Sequence, residues 1–315
     1  MIKVIYISCI LGFLLSSCED NAGQWTELDI GFNDDFHDIA PIDKNTLIAY
    51  SYGSGIFIRS TDGGQSWKQV YQTDSIYFEQ IEFPTPNVGY ICGNTNKILK
   101  SENGGENWNE IVIDSIPKDS PIYGMKFTNS QIGYISVMQR SKNGFESKIL
   151  QTTDGGEKWT EINSIPSMIL NIEFINNEYW GSGQNVLIRN IDKSNWKIEY
   201  QDTTNQVGQI RDLIVEDGKI IMSSFNGFII VKDKDIITKQ QITKNRLRSI
   251  VQLKNGELIA AGDNNKELGN FFESKDGGLT WMKNEKELHD IHRLKVKDDY
   301  VFCIGKKDQL LKIKM

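Results

Sequence analysis

Histidine is nearly missing from this chain, with three residues in 315, and cysteine is scarce, with four. No Cys-x-x-Cys, His-x-x-x-His, P-loop or Gly-x-Ser-x-Gly pattern occurs. Sequence support is therefore absent for a zinc site, a dithiol redox centre, a phosphate-cradling loop or a hydrolase nucleophile elbow. Basic residues are also outnumbered, 35 against 42 acidic, for a net charge of −7. That balance argues against nucleic acid and against an electrostatically held membrane surface, both of which need clustered cations. Long apolar runs are missing too, except at the start. Of the four cysteines, Cys92 and Cys303 sit in the apolar stretches Tyr90-Ile91-Cys92 and Val301-Phe302-Cys303. They read as buried thiols rather than as a disulfide.

The one apolar run is Val4 to Leu15, twelve residues behind Met1-Ile2-Lys3. It is too short to span a bilayer and has the length of a signal-peptide core. It ends in Leu15-Ser16-Ser17-Cys18, which resembles a bacterial lipobox. The resemblance implies cleavage before Cys18 and lipidation of its thiol. The expected organisation is a signal peptide over 1–17, a lipidated tether over 18–23 and one folded unit over 24–315. The expected address is the bacterial cell envelope, at the outer membrane.

What the chain has in plenty is one phrase. Ser60-Thr61-Asp62-Gly63-Gly64-Gln65-Ser66-Trp67 returns as Ser101-Glu102-Asn103-Gly104-Gly105-Glu106-Asn107-Trp108. It returns again at Thr152–Trp159 and Ser274–Trp281. The Asp or Asn side chain accepts from backbone N–H groups just ahead of it, and the glycine pair supplies the positive φ of a tight reversal. A tryptophan then pins the turn to the sheet. The phrase resembles the Asp-box, or BNR, repeat of Asp-box β-propellers. That resemblance implies a structural role for Asp62, Gly64, Trp67, Asn103, Gly105, Trp108, Asp154, Gly156, Trp159, Asp276, Gly278 and Trp281.

Tryptophan spacing gives the period. Successive intervals from Trp25 through Trp67, Trp108, Trp159 and Trp196 are 42, 41, 51 and 37 residues, and Trp196 to Trp281 is 85, two repeats. A period near 40–45 with turn signals about every ten residues is a propeller signature. Each repeat reads as four short strands, a to d, of alternating polarity, with strand a at Asp38–Ile42, Gln80–Phe83, Gly124–Phe127, Asn171–Ile175, Asp212–Val215, Ser249–Leu253 and Arg293–Val296. The expected fold is all-β, a seven-bladed propeller. The fourth and fifth blades lack the motif, and Trp180 is out of step with the other tryptophans. Gln24–Leu28 reads as a strand d with no a, b or c and Gln309–Lys314 as strand c of a seventh blade with no strand d, so pairing them satisfies two bare edges and closes the ring.

In such a ring the Asp boxes are c–d turns, which leaves the face made by the d–a and b–c loops free for function. A tether of seven residues from Cys18 to Trp25 reaches at most roughly 25 Å. The Asp-box face should therefore lie toward the membrane. The residues assigned to binding are His37, Tyr123, Arg140, Arg211, Arg248, His292 and Arg293. Three of the chain's seven arginines, Arg211, Arg248 and Arg293, enter strand a of consecutive blades, and guanidinium forks at a channel mouth suit a carboxylate, a peptide terminus or an acidic glycan. Interblade ion pairing with Asp212 is their alternative role. His37, His289 and His292 gather at the seam of blades seven and one beside Asp34, Asp35, Asp38 and Asp290. Surface loops of an acidic protein group such side chains readily, and no metal and no cofactor are assigned.

The lipobox, the seven blades and a Gly-Tyr-rich strand b together resemble the photosystem II stability/assembly factor-like family. That resemblance implies a non-enzymatic assembly or scaffold role with a protein partner. A sialidase-like glycoside hydrolase is the enzymatic alternative, since sialidases also carry Asp boxes. It would need an arginine triad, a Tyr nucleophile paired with Glu and an acidic proton donor, and no Arg here precedes Ile-Pro as in the early sialidase segment. A surface glycan-binding lipoprotein using Tyr52, Phe145 and Phe225 is the third reading. The lipobox itself is testable at once: Cys18→Ala should release the protein from the membrane fraction or stall its processing, and full retention of the variant with membranes would refute it.

Overall fold

Turn signals about every ten residues leave room only for short strands, and short strands bury little unless sheets stack. The computed structural model describes residues 25–73, 77–142, 144–192, 195–216, 218–264, 269–284 and 288–315. The expected signal peptide and tether, with Cys18, lie outside the described residues. Among the described residues, twenty-eight strands form seven four-stranded antiparallel sheets. The innermost strands, a, are Phe36–Pro41, Phe78–Glu82, Ile122–Phe127, Ile169–Ile175, Ile210–Glu216, Arg246–Gln252 and Ile291–Lys297. They neighbour one another in cyclic order, the last beside the first.

The seventh sheet closes the ring. Its strands a to c come from the C-terminal end and its outermost strand is Trp25–Asp29, in register from Trp25↔Ile313 to Asp29↔Gln309. Strand boundaries differ from the sequence reading in one systematic way: every strand a begins two or three residues earlier. Polarity differs as well. Strands a and b are covered on both faces, so Leu47–Ser51 and Gly89–Gly93 are buried throughout instead of alternating. Exposure is concentrated in strand d, as in Lys68–Gln72.

No central hydrophobic core exists in such an arrangement; the apolar contacts lie between blades. Seven clusters form, one at each interface. Ile48, Tyr50 and Phe57 of the first blade, for example, pack on Phe78, Ile91 and Trp108 of the second. Cys92 and Cys303 are buried within two of these layers and are not joined in a disulfide.

The repeated turns are built alike. The Ser or Thr hydroxyl at the head of each accepts the N–H of the second glycine, at 2.8 Å for Ser60–Gly64, Ser101–Gly105 and Ser274–Gly278 and 2.9 Å for Thr152–Gly156. The Asp or Asn oxygen accepts the N–H four residues on, at 2.9 Å for Asp62–Ser66 and 3.0 Å for Asn103–Asn107. Both glycines hold φ between +68° and +91° in all four turns. The turn also faces its neighbour: a Cβ on Gly105 would stand 2.5 Å from Ile48 of the preceding blade.

The tryptophan after each turn completes the interface behind it. Trp108 lies 5.6 Å from Phe57, Trp196 6.1 Å from Tyr134 and Trp25 5.3 Å from Phe271, each partner belonging to the preceding blade. Blade five supplies no such ring. Trp180, from strand b of blade four (Glu178–Gly183), fills that interface among Leu187, Ile210, Leu213 and Ile220. Arg189 lies over its outer face at 5.4 Å, held by Glu178 at 3.0 Å and Glu199 at 3.1 Å. The out-of-step tryptophan thus replaces from one side what the missing motif fails to supply from the other. Trp180→Ala should therefore cost about 3–5 kcal/mol in equilibrium denaturation, like other buried-ring deletions. A loss below about 1 kcal/mol would show that the interface does not depend on it.

Candidate functional site

Each strand a carries a β-bulge at the same place. Phe36 pairs with Ser51 and Asp38 with Tyr50, which leaves His37 unopposed. The same slip leaves out Glu79, Tyr123, Leu170, Arg211, Arg248 and His292 in the other six blades. A bulged residue has no cross-strand partner, and its side chain is re-aimed. Here all seven are aimed at one place, and all seven line a cavity of about 500 Å³ at the mouth of the channel. The early start of every strand a is this bulge.

The backbone crowds where the bulge forms. Opposite it strand b has Gly93, Gly183, Gly262 or Gly305 in four blades, as its last residue or, for Gly262, the one before. A Cβ there would stand 2.2, 1.8, 2.1 or 2.0 Å from the carbonyl oxygen of Tyr77, Met168, Arg246 or Asp290. Only glycine fits, and these glycines are the sequence signal from which the bulges could have been read.

In five of the blades the residue after the bulge ties its blade to a neighbour. The Asp38 carboxylate accepts the N–H of Ile81, Gln80 accepts that of Met125, Asp212 that of Ile250, and the Ser249 hydroxyl that of Leu294. Arg293 stands in this second ring, not at the mouth, with its Nε 3.5 Å from Asp38 Oδ1. Of the residues assigned from sequence, His37, Tyr123, Arg211, Arg248 and His292 meet in the cavity. Arg293 forms the interblade ion pair that was its alternative role, with Asp38. Arg140 lies apart, exposed on the hairpin of Gly133–Ser141 and Gly144–Thr152, opposite Phe145.

Two walls of the cavity differ in chemistry. On one, Phe225 is ringed by Arg248, Arg211 and Arg246 at 5.0, 5.2 and 5.3 Å from its centroid, a cation–π cluster. Arg248 donates to Asp263, which Arg246 approaches at 3.8 Å, and Arg211 reaches Glu79 at 3.9 Å. On the other wall a line of rings runs outward, His292 to His37 at 5.1 Å, His37 to Tyr52 at 5.1 Å and Tyr52 to Tyr77 at 5.3 Å. Glu79, Phe225 and Tyr52 belong to the cavity on equal terms with the residues assigned to binding.

Burial sets the protonation of these groups. Desolvation first, then the charge of Arg248, holds His292 down to about 3. Desolvation together with His292 and the arginines holds His37 well below the usual imidazole range. Burial brings Arg211 down to about 10 despite Glu79, and burial raises Glu79 despite Arg211. Tyr52 and Tyr123 are both raised, by burial and then by Glu79. Among the described residues, no three His, Cys, Asp or Glu side chains gather as a metal centre; His289 stands outside the cavity lining.

Comparisons place this geometry among known proteins. The Sortilin-Vps10 family model (sortilin, neurotensin receptor 3) matches residues 55–261. The chain is 22% identical to the photosystem II assembly lipoprotein Ycf48 of Synechococcus sp. (strain CC9902), over 96% of this chain and 94% of that one. It superposes with a TM-score of 0.70 on the structure of YCF48 bound to D1 peptide, at 20% identity, covering 92% of this chain and 97% of the other. Virginiamycin B lyase from Staphylococcus aureus shares the fold at 13% identity, with a TM-score of 0.72, over 93% and 99% of the two chains.

The buried imidazoles have a consequence for acid stability. Unfolded histidine titrates near 6.5, so between that pH and about 3 the unfolded chain binds a proton that folded His292 refuses. This contribution to stability is complete above the unfolded value and is lost as pH falls, by about 1.4 kcal/mol per unit for one histidine. Glu79 is shifted the other way and acts in the opposite sense, so the test compares variants. The stability advantage of the parent over His292→Gln should shrink steadily from pH 7 to pH 4.5 (about two units of titration). A gap independent of pH would contradict the assignment.

Proposed function

The chain belongs to the Sortilin-Vps10 family, and we propose that it is a lipid-anchored, non-enzymatic propeller that binds a protein partner at the mouth of its channel. The observation that carries this reading is the ring of bulges. Seven blades each spend one residue with no role in the sheet on a single cavity. The relative named as an assembly lipoprotein and the YCF48 structure with a bound peptide support the same use of the fold. The partner itself is not carried over, because the net charge here is acidic. A lipid on Cys18 would hold the Asp-box face toward the membrane of a bacterial cell envelope, at the outer membrane, with the cavity facing away.

The protonation states favour binding over catalysis. A tyrosine nucleophile needs a lowered pKa, and burial with Glu79 raises both Tyr52 and Tyr123. An imidazole held near 3 is a poor general base at neutral pH. The sialidase-like reading and the lyase neighbours, which share only the fold, gain nothing from this site. A glycan surface built on Tyr52, Phe145 and Phe225 is weakened because Phe145 lies away from the other two.

Charged side chains at a channel mouth would contribute little to stability if they were exposed, but Arg211 and Arg248 are not. Their side chains are only 13% and 17% exposed and are paired, so removing Arg211 alone leaves the buried Glu79 carboxylate without its ion-pair partner. Arg211→Gln with Glu79→Gln removes both charges of one pair. It should melt close to the parent, yet recover several-fold less of the partner cross-linked to the parent in membrane extract. Asp154→Asn, on the opposite face, should recover it fully. The reverse result would move the site to the Asp-box face.

A further inference from the structure

Leu279, Ile236 and Met282 are the most exposed large apolar side chains among the described residues, at 73%, 67% and 60%. They lie on neighbouring elements. Ile236 opens the outer strand of blade five, Leu279 tips the repeated turn of blade six, and both line one groove. Met282 follows three residues later on the outer strand of blade six. The three sister turns carry Gln65, Glu106 and Glu157 where this one carries Leu279. The turn does not require a leucine, because its bonds from Gly278 to Ser274 at 2.8 Å and from Thr280 to Asp276 at 2.9 Å match the other copies.

A second apolar cavity, of about 520 Å³, lies beside blade six on its other side. Trp25, Leu253, Ile259, Ile313 and Met315 contribute to it. Trp25 is the first described residue, seven positions after Cys18. Seven residues reach at most roughly 25 Å. The apolar arc from blade five to blade seven therefore sits where the tether delivers the chain.

We propose that this arc of the Asp-box face is a membrane-contact surface, at which Leu279, Ile236 and Met282 enter the headgroup region of a lipid bilayer. The inference rests on the tethered reading above. Apolar side chains projecting from a turn bind at the bilayer interface in proportion to the area they bury there. Nearby lysines are already neutralised, Lys219 by Asp233 at 3.9 Å and Lys275 by Glu257 at 3.7 Å. Insertion is therefore apolar rather than electrostatic, and it should persist in salt that screens surface charge.

The test uses the chain from residue 18 onward with Cys18→Ala, so that neither the apolar leader nor a lipid anchors it, floated with vesicles of phosphatidylethanolamine and phosphatidylglycerol. The unlipidated parent should partition weakly onto the vesicles, and Leu279→Glu with Met282→Glu should reduce that about tenfold or more, as expected for two large apolar groups. Melting should be unchanged and high salt should not abolish binding. Phe145→Glu, on the opposite face, should bind like the parent. Absence of vesicle binding by the parent, or equal binding by the double variant, would overturn the proposal. So would a dimer that the double variant dissolves without any change at vesicles, since a second copy would then cover the patch. The intact mass of the native protein reads the lipid on Cys18 separately, so a missing anchor and a missing contact are distinguishable.

Discussion

The antiparallel pairing of Trp25–Asp29 with Gln309–Lys314 ties the first described strand to the last, and the rest of the ring depends on it. Each blade is a sheet with two apolar faces and no core of its own, so its stability comes from its two neighbours. An open arc would leave one face bare at each end. Closure by a main-chain ladder removes both ends at once and puts Trp25 against Phe271 and Leu28 against the layer of Phe302 and Leu310. No terminal blade needs a polar cap, because no blade is terminal.

Closure also forces seven inner strands into a narrow channel, and the chain answers the crowding in three ways. Glycines lie at or next to the end of strand b where the bulged strand presses on it. Polar side chains one step down bond across to the next blade instead of packing on apolar groups. Charges deeper in the channel are matched: Lys126 stands 3.1 Å from both Glu82 and Glu173. Burial alone would lower the Lys126 ammonium, but Glu173 and Glu82 outweigh it and raise it. Removing one member of such a set would leave a buried charge uncompensated, which is why these residues act as a framework rather than as ligands.

The two faces divide the work of the fold. On one, the repeated turns are satisfied internally: the Asp carboxylates accept from their own turn, and Asp62 and Asp276 are held below the usual range, Asp62 by hydrogen bonds that outweigh its desolvation and Asp276 chiefly by the Thr280 hydroxyl. Little capacity remains there for a polar ligand. On the other face, the bulged residues have no partner in the sheet, so their side chains vary from leucine to arginine without cost to the strand.

Sequence alone determined the period, the seven blades, the closing strand and the places of the repeated turns. Those features are local: a hydroxyl, an Asp and two glycines at fixed spacing make the same turn wherever they occur, and tryptophan marks it. Five of the seven residues entering strand a at the cavity, His37, Tyr123, Arg211, Arg248 and His292, were legible as well, because each follows a loop and precedes an apolar run. Only the tertiary structure decided that Arg293 turns inward to Asp38 while Arg248 stays at the mouth. The two occupy adjacent positions, and a one-residue slip in a β-strand exchanges the faces. The same holds for Trp180, which is out of phase in sequence and in place only because the neighbouring blade lacks a ring. Glu79 and Phe225 joined the site for a like reason. Glu79 matters because Arg211 reaches it when blade two and blade five face each other across a closed ring, and Phe225 because Arg246 and Arg248 of blade six close on it beside Arg211 of its own blade.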